Sequence, residues 1–96
     1  MRRVYIVSYD ISDPRRWRKV YKTVRGFGKR LQYSVFRCEL LPEDKVRLVA
    51  KVEEILHHEQ DKLIIVDLGP ADGRGKDCIE AYGVQLCSFD RAPVVV

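Results

Sequence analysis

Residues 31–41 read LQYSVFRCELL, and the way this stretch folds decides the architecture of the chain. Its tyrosine, valine and phenylalanine residues alternate with polar ones, which is typical of a β-strand. The stretch is longer than most single strands, yet no glycine or proline divides it. It therefore forms either one bent strand or two strands that separate near Ser34.

The segments on either side predict two further strands and two helices. Residues 4–9 are rich in β-branched and aromatic residues, as expected of a buried central strand. Asp13 and Pro14 predict the start of a helix, because aspartate is a favoured N-cap and proline is favoured at the first helical position. The apolar residues of this helix recur at helical spacing, at Trp17, Val20, Tyr21, Val24 and Phe27. A second helix begins at Pro42, and residues 61–68 (DKLIIVDL) form a strand.

This order of elements predicts an α+β sandwich. If residues 31–41 divide, the plan is the ferredoxin-like β-α-β-β-α-β arrangement, with both helices on one face of a mainly antiparallel sheet. A last strand over residues 84–89 is added at the C-terminal end. The second helix is expected to turn six apolar residues inward: Val46, Leu48, Val49, Val52, Ile55 and Leu56.

Length and composition place further limits on the protein. The chain has 96 residues and no linker, which predicts a single domain over residues 1–96, and its small core favours a homodimer. No apolar stretch is long enough to span a bilayer, and the N-terminus shows no secretory signal. Three cysteines without a CxxC spacing suit a reducing compartment. We therefore expect a cytoplasmic protein with no membrane partner.

Positive charge is concentrated in one part of the sequence. The net charge is +4, and residues 15–30 contain eight basic residues without one acid. A basic stripe confined to one helix predicts binding to a polyanion such as nucleic acid. The alternative is an ordinary solvated helix face.

Two aspartates flank the junction between the first strand and the first helix. Asp13 is the better placed to cap the helix, which leaves Asp10 without a structural role. Asp10 is the candidate metal ligand, since carboxylate oxygens suit Mg²⁺, and a two-fold axis beside it would bring a second carboxylate. The alternative for Asp10 is a simple loop aspartate.

Other groups offer weaker chemistry. His57 and His58 are adjacent, so on a helix they would point about 100° apart and would not share a metal. The cysteines are expected to be inert packing residues. GRGKD at residues 73–77 lacks the P-loop pattern. The strand aromatics, among them Tyr9, Tyr33 and Phe36, either stack on bases or belong to the core.

Four segments in combination resemble a known family. They are VSYDISD at residues 7–13, the basic amphipathic helix, GKRLQYSVFRCEL at 28–40 and DKLIIVDLG at 61–69. Together they are similar to the CRISPR-associated endoribonuclease family, whose members are the small dimeric partners of the integrase that acquires CRISPR spacers. The likeness covers about residues 2–69.

This resemblance implies a symmetric homodimer whose sheets face each other. It also implies that the final strand and tail, residues 84–96, pack on the partner protomer. Asp10 falls on the family's catalytic aspartate, the ligand of a Mg²⁺ ion shared across the dimer axis. Either Arg16 or Arg18 corresponds to the family's arginine on the first helix. The expected nucleic-acid contacts are Tyr9, Arg15, Arg16, Arg18, Lys19, Arg30 and Phe36.

The function that follows is CRISPR adaptation by a metal-dependent endonuclease that hydrolyses phosphodiester bonds in RNA or DNA. One alternative is a non-catalytic dimer that binds duplex DNA and docks the integrase. Another is a relative of the RNase toxins that share this fold. The sequence leaves the choice between RNA and double-stranded DNA open.

Overall fold

The computed structural model describes residues 1–83, which form four strands and three helices in the order β-α-β-β-α-β-α. The elements are β1 (Arg3–Asp10), α1 (Pro14–Arg25), β2 (Lys29–Gln32), β3 (Val35–Leu40), α2 (Pro42–Glu53), β4 (Lys62–Pro70) and α3 (Arg74–Asp77). The stretch that opened the sequence analysis divides into two strands, with a turn at Tyr33 and Ser34. The strand expected at residues 84–89 lies outside the described residues.

The four strands form one antiparallel sheet in the order β2-β3-β1-β4. β1 is central, because it pairs with β3 on one side and β4 on the other. Each helix joins strands that are not neighbours: α1 carries the chain from β1 past β3 to β2, and α2 carries it from β3 past β1 to β4. This is the predicted ferredoxin-like arrangement, and the prediction is confirmed.

The core lies between the sheet and the two long helices. Alternate residues of β1, namely Tyr5, Val7 and Tyr9, pack against the helices together with buried residues of β3. α1 contributes Val20 and Val24, which have no exposed surface. The alternate residues of β1 and the helically spaced apolar residues of α1 thus pack in one cluster, as the apolar pattern predicts.

The second helix buries fewer residues than the sequence predicts. Leu48 and Val52 are fully buried, and Ile55 and Leu56 pack partly against the core. Val46, which we expected to face inward, is 64% exposed. The reason is geometric: Val46 precedes Leu48 by two residues, or about 200° around the helix, so the two side chains cannot share one face.

Gly28 allows β2 to lie close to β3. A Cβ atom at this position would stand 2.4 Å from the carbonyl oxygen of Arg37 and 2.5 Å from the Sγ of Cys38. Gly26, two residues earlier, has ordinary helical geometry, and the nearest atom to its Cβ would be the Thr23 carbonyl oxygen at 3.4 Å. Gly28 is therefore required by close packing, whereas Gly26 is not.

The sheet face opposite the helices is apolar and partly open. Ile64 and Val66 of β4 are 50% and 45% exposed. Ile6 and Val35 border a cavity of about 770 Å³ on this side, which residues 78–82 partly overlie. Within residues 1–83 no helix is long and apolar enough to cross a membrane.

Candidate nucleic-acid site beside Asp10

Asp10 is the last residue of β1, at the end of the central strand. It is exposed and stands opposite Lys62 of β4 in the antiparallel register. Tyr9 points into the core, so strand alternation places Asp10 and Lys62 toward the open face of the sheet. Among the described residues the Asp10 carboxylate has no ion pair or hydrogen bond, so a rigid strand presents an uncommitted anion.

Asp13 performs the capping role that the sequence predicts. Its Oδ2 accepts a hydrogen bond of 3.0 Å from the backbone N–H of Arg16, and Pro14 takes the first helical position. The two acids of the junction therefore have separate tasks. Asp13 stabilises the start of α1, and Asp10 remains available to a ligand.

A cavity of about 460 Å³ opens beside Asp10. Three segments form most of its wall: the end of β1, the first turns of α1 and the turn between β2 and β3, through Tyr9, Asp10, Trp17, Arg18, Tyr33 and Ser34. The backbone N–H of Tyr9 donates to the carbonyl oxygen of Ser34 over 3.2 Å, which holds the turn against the end of β1. Chain connectivity alone does not reveal this meeting of three segments.

Stacked aromatic rings line one side of this cavity. The ring centroid of Trp17 lies 4.8 Å from that of Tyr33 and 5.2 Å from that of Tyr21, with interplanar angles of 22° and 7°. Trp17 Nε1 also donates to Ser34 Oγ at 3.3 Å. The guanidinium of Arg30 lies 5.5 Å from the centroid of Tyr21 and 5.6 Å from that of Tyr33. Tyr33 nevertheless remains 64% exposed.

Tyr9 and Phe36 lie behind this surface. Tyr9 is 4% exposed, its ring stacks 6.1 Å from that of Phe36, and burial raises the pKa of its hydroxyl to about 12. Within residues 1–83 the hydroxyl has no hydrogen-bond partner. Phe36 has no exposed surface, so its expected contact with nucleic acid is not possible in this arrangement. It packs beneath Tyr9, the core alternative that the sequence left open.

The four basic residues of α1 that were expected to contact nucleic acid divide into two groups. Arg15, Arg18 and Lys19 are exposed and form no ion pair within the described part of the chain. Arg16 instead reaches the connection between α2 and β4, where its Nε lies 2.7 Å from Oδ2 of Asp61. Of the two candidates for the family's helix arginine, Arg18 lines the cavity and Arg16 is engaged in a structural ion pair.

The ion pair of Arg16 is well enclosed. The Asp61 side chain has no exposed surface, and it also accepts the backbone N–H of His57 at 2.9 Å. The hydrogen bond from Arg16 is the main reason that the pKa of Asp61 lies below its usual value. The same hydrogen bond raises the pKa of Arg16. This contact fastens the start of α1 to the segment before β4.

The remaining polar groups of residues 1–83 do not form a second site. Cys38 is buried in β3, and burial raises the pKa of its thiol to about 12, so it is a packing residue and not a nucleophile. Cys78 is exposed. In residues 1–83, no group of three or more histidine, cysteine, aspartate or glutamate side chains comes together.

Asp10 therefore fits one half of a magnesium site. A single carboxylate cannot form a complete protein cage, but Mg²⁺ retains several waters and accepts one or two carboxylates. Its exposed oxygens and lack of a competing cationic partner in the described chain suit this role. Sequence reasoning missed the contribution of Trp17 and Ser34 to the cavity, because their contacts depend on how the turn at Tyr33 packs against α1.

Fold and site define a ferredoxin-like domain whose cationic first helix lies beside an exposed carboxylate. The chain belongs to the family described as CRISPR associated protein Cas2, whose family model matches residues 1–73. It is 49% identical to the CRISPR-associated endoribonuclease Cas2 of Geobacter sulfurreducens, over the full length of both chains. The family resemblance inferred from the sequence is thus confirmed.

Solved structures agree with this assignment. A hypothetical protein from Thermus thermophilus is 33% identical, with a TM-score of 0.74 over 88% of this chain and 95% of that one. The crystal structure of Streptococcus pyogenes Cas2 at pH 6.5 is 27% identical, with a TM-score of 0.73 over 83% of this chain and 99% of that one. The ferredoxin-like fold is therefore shared with Cas2 proteins.

Proposed function

We propose that this Cas2 protein is a metal-dependent endonuclease of CRISPR adaptation that hydrolyses phosphodiester bonds through Asp10. The exposed carboxylate at the end of β1, with no partner among the described residues, carries the proposal. The relative from Geobacter sulfurreducens is named an endoribonuclease, which supports the reaction class. The adjacent cationic residues of α1 suit a polyanionic substrate, RNA or DNA.

The active form is proposed to be a homodimer joined through the open sheet face. Ile64 and Val66 leave about half of their surfaces uncovered there, and apolar surface of this kind favours association. Asp10 and Lys62 lie on the same face at the end of the sheet. A second copy related by a two-fold axis through this region would bring two Asp10 carboxylates together, while each Lys62 would offset part of their repulsion.

In this arrangement the chain's own residues bind and orient the substrate. Arg18 and Lys19 would hold the phosphates that flank the scissile bond, and the two Asp10 carboxylates would hold Mg²⁺. The chemistry that Mg²⁺ supplies when bound is Lewis-acid polarisation of a phosphoryl oxygen. Hydrolysis adds the oxygen of water to phosphorus and breaks one P–O bond, and the departing oxygen leaves with a proton.

The test compares Asp10→Asn with the wild-type protein on labelled single-stranded RNA and duplex DNA, with Mg²⁺ and with a chelator. Because Asp10 is exposed, the substitution should leave the thermal unfolding midpoint nearly unchanged while cleavage falls by at least about 100-fold. Asp72→Asn removes another exposed acid and should cut at the wild-type rate. Equal cleavage by Asp10→Asn and wild type would remove Asp10 from the mechanism.

A second candidate function is a non-catalytic DNA-binding scaffold for the integrase. The exposed cations of α1 and the single carboxylate that lines the cavity, Asp10, favour it, since they provide more for binding than for catalysis. Spacer integration by Asp10→Ala separates the two functions. Full integration without cleavage would assign the protein to the scaffold role, whereas loss of both would tie adaptation to the nuclease. The RNase-toxin alternative gains no support from the family match.

A further inference from the structure

We propose that the cavity beside Asp10 is a subsite for one unpaired nucleobase, which stacks on Tyr33 while its phosphate meets Arg18. This inference rests on the proposed function and narrows its substrate class to single-stranded or locally splayed nucleic acid. The cavity and the aromatic stack support it independently.

The aromatic stack is incomplete at its outer end. Tyr21, Trp17 and Tyr33 make successive ring contacts at 5.2 and 4.8 Å, yet Tyr33 keeps 64% of its surface in water. A solvent-facing aromatic ring supported from behind is the kind of surface on which nucleobases stack. A bound base would extend the series by one member without rearranging Trp17.

The size and polarity of the cavity agree with a nucleotide. Its volume of about 460 Å³ lies within the roughly 300–1,000 Å³ typical of small-ligand sites. Tyr9 forms part of the wall and is nine-tenths buried, and its hydroxyl has no surface open to a ligand. Ser12 and Ser34 add hydroxyl groups to the same wall.

Only an unstacked base can use this subsite. In a duplex both faces of a base are covered by neighbouring bases, so Tyr33 could not stack on it. Duplex DNA would instead contact the exposed cations of α1 through its backbone. Asp10 and Tyr33 line the same cavity, so a base on Tyr33 places its neighbouring phosphate near Asp10. The predicted cleavage position is therefore next to an unpaired nucleotide.

The experiment measures binding apart from cleavage, in the Asp10→Ala background and without metal. The probes are six-nucleotide RNA and DNA single strands that carry 2-aminopurine at one position, and a blunt duplex of the same sequence. Stacking quenches the 2-aminopurine fluorescence. Loss of one stacked base should weaken single-strand binding by roughly 5- to 150-fold, and Tyr33→Ala should also abolish the quenching.

Three further variants make the result specific. Tyr33→Phe keeps the ring and should retain affinity within about twofold. Tyr33→Leu keeps apolar packing on Trp17 but lacks a π-face, so it should lose the quenching while preserving the fold. Val46→Ala truncates a side chain on α2 that is as exposed as Tyr33 and lies away from the cavity and the open sheet face, so it should bind as the parent does. Circular dichroism and light scattering establish that all variants share the fold and mass of the parent.

The outcomes separate this inference from the proposed function. If Tyr33→Ala binds single strands as tightly as the parent, or loses duplex and single-strand affinity equally, the base subsite is refuted, and Asp10-dependent cleavage would still stand. If Tyr33→Ala loses only single-strand binding and the wild-type protein cuts nothing, the subsite stands and the nuclease function fails. Comparing the RNA and DNA strands then shows which backbone the subsite accepts.

Discussion

The two groups of basic residues on α1 lead to opposite expectations for the same type of substitution. Arg18 and Lys19 are exposed and have no ion pair in the described chain, so replacing both by alanine should weaken DNA binding without affecting the fold. Arg16 is bound to Asp61 at 2.7 Å, so Arg16→Ala should lower the thermal midpoint by leaving a buried carboxylate unpaired. It should leave the salt dependence of DNA binding unchanged.

The size of the effect follows from counterion release. Each phosphate contact contributes about −0.9 to the slope of log K against log salt for duplex DNA. Contacts by Arg15, Arg18 and Lys19 of one helix predict a slope of about −2.7, or roughly a 40-fold loss of affinity between 50 and 200 mM salt. The double variant retains one contact and should lose only about 3.5-fold over the same range.

Fluorescence anisotropy with a 20-base-pair labelled duplex at four salt concentrations measures these slopes. The Arg16→Ala slope should match that of the wild-type protein, and its midpoint in thermal unfolding should be lower. An unchanged slope in the Arg18→Ala, Lys19→Ala protein would place the DNA surface elsewhere. A flattened slope in Arg16→Ala would show that its ion pair with Asp61 opens for DNA.

Three further predictions concern stability. Gly28→Ala should destabilise the fold by about 1–3 kcal/mol or more in urea unfolding, because its Cβ would stand 2.4 Å from a backbone oxygen. The control Gly26→Ala should be neutral or slightly stabilising. Equal effects of the two substitutions would contradict the packing argument. Tyr9→Phe should raise the free energy of unfolding by about 1 kcal/mol, because it removes a buried hydroxyl that has no partner in residues 1–83; a loss of stability would contradict this reading. The pKa of Asp61 is lowered on folding, so its contribution to stability is complete above the unfolded pKa of about 3.9 and is lost as pH falls through the folded value. In Asp61→Asn the thermal unfolding midpoint should therefore fall less steeply as the pH drops below about 4. If it falls as steeply as in the wild-type protein, other carboxylates cause the loss of stability in acid.

The sequence predicted the fold well because local signals agreed with each other. Asp13 and Pro14 mark the start of α1, and the alternation in residues 31–41 marks strands. The division of that stretch at Tyr33 and Ser34 could not be decided from composition, since serine favours turns only weakly and tyrosine is not a turn residue. It follows from the sheet order, because β2 and β3 must be antiparallel neighbours.

The candidate site was predicted less completely, and for a physical reason. Asp10 could be found from the local sequence, because it ends a predicted strand and because Asp13 is better placed to cap the helix. The division between Arg16 and Arg18 could not, because it depends on Asp61, which lies 45 residues further along the chain. Likewise, Val46 failed as a core residue because an apolar residue type does not specify which face of a helix it occupies.

The same aromatic residues stabilise the fold and form the proposed base subsite. Trp17 holds α1 against Tyr9 and the turn, because its ring centroid lies 6.3 Å from that of Tyr9 and 4.8 Å from that of Tyr33. Removing Trp17 would therefore disturb both packing and binding. Tyr33 is different, because it is supported on one side and is largely open to water. A rigid platform of this kind loses little conformational entropy when a base stacks on it. Substitution of Tyr33 should therefore change binding with less effect on folding than substitution of any other aromatic residue of the cavity. Substitution of Asp10 should likewise change cleavage without changing binding.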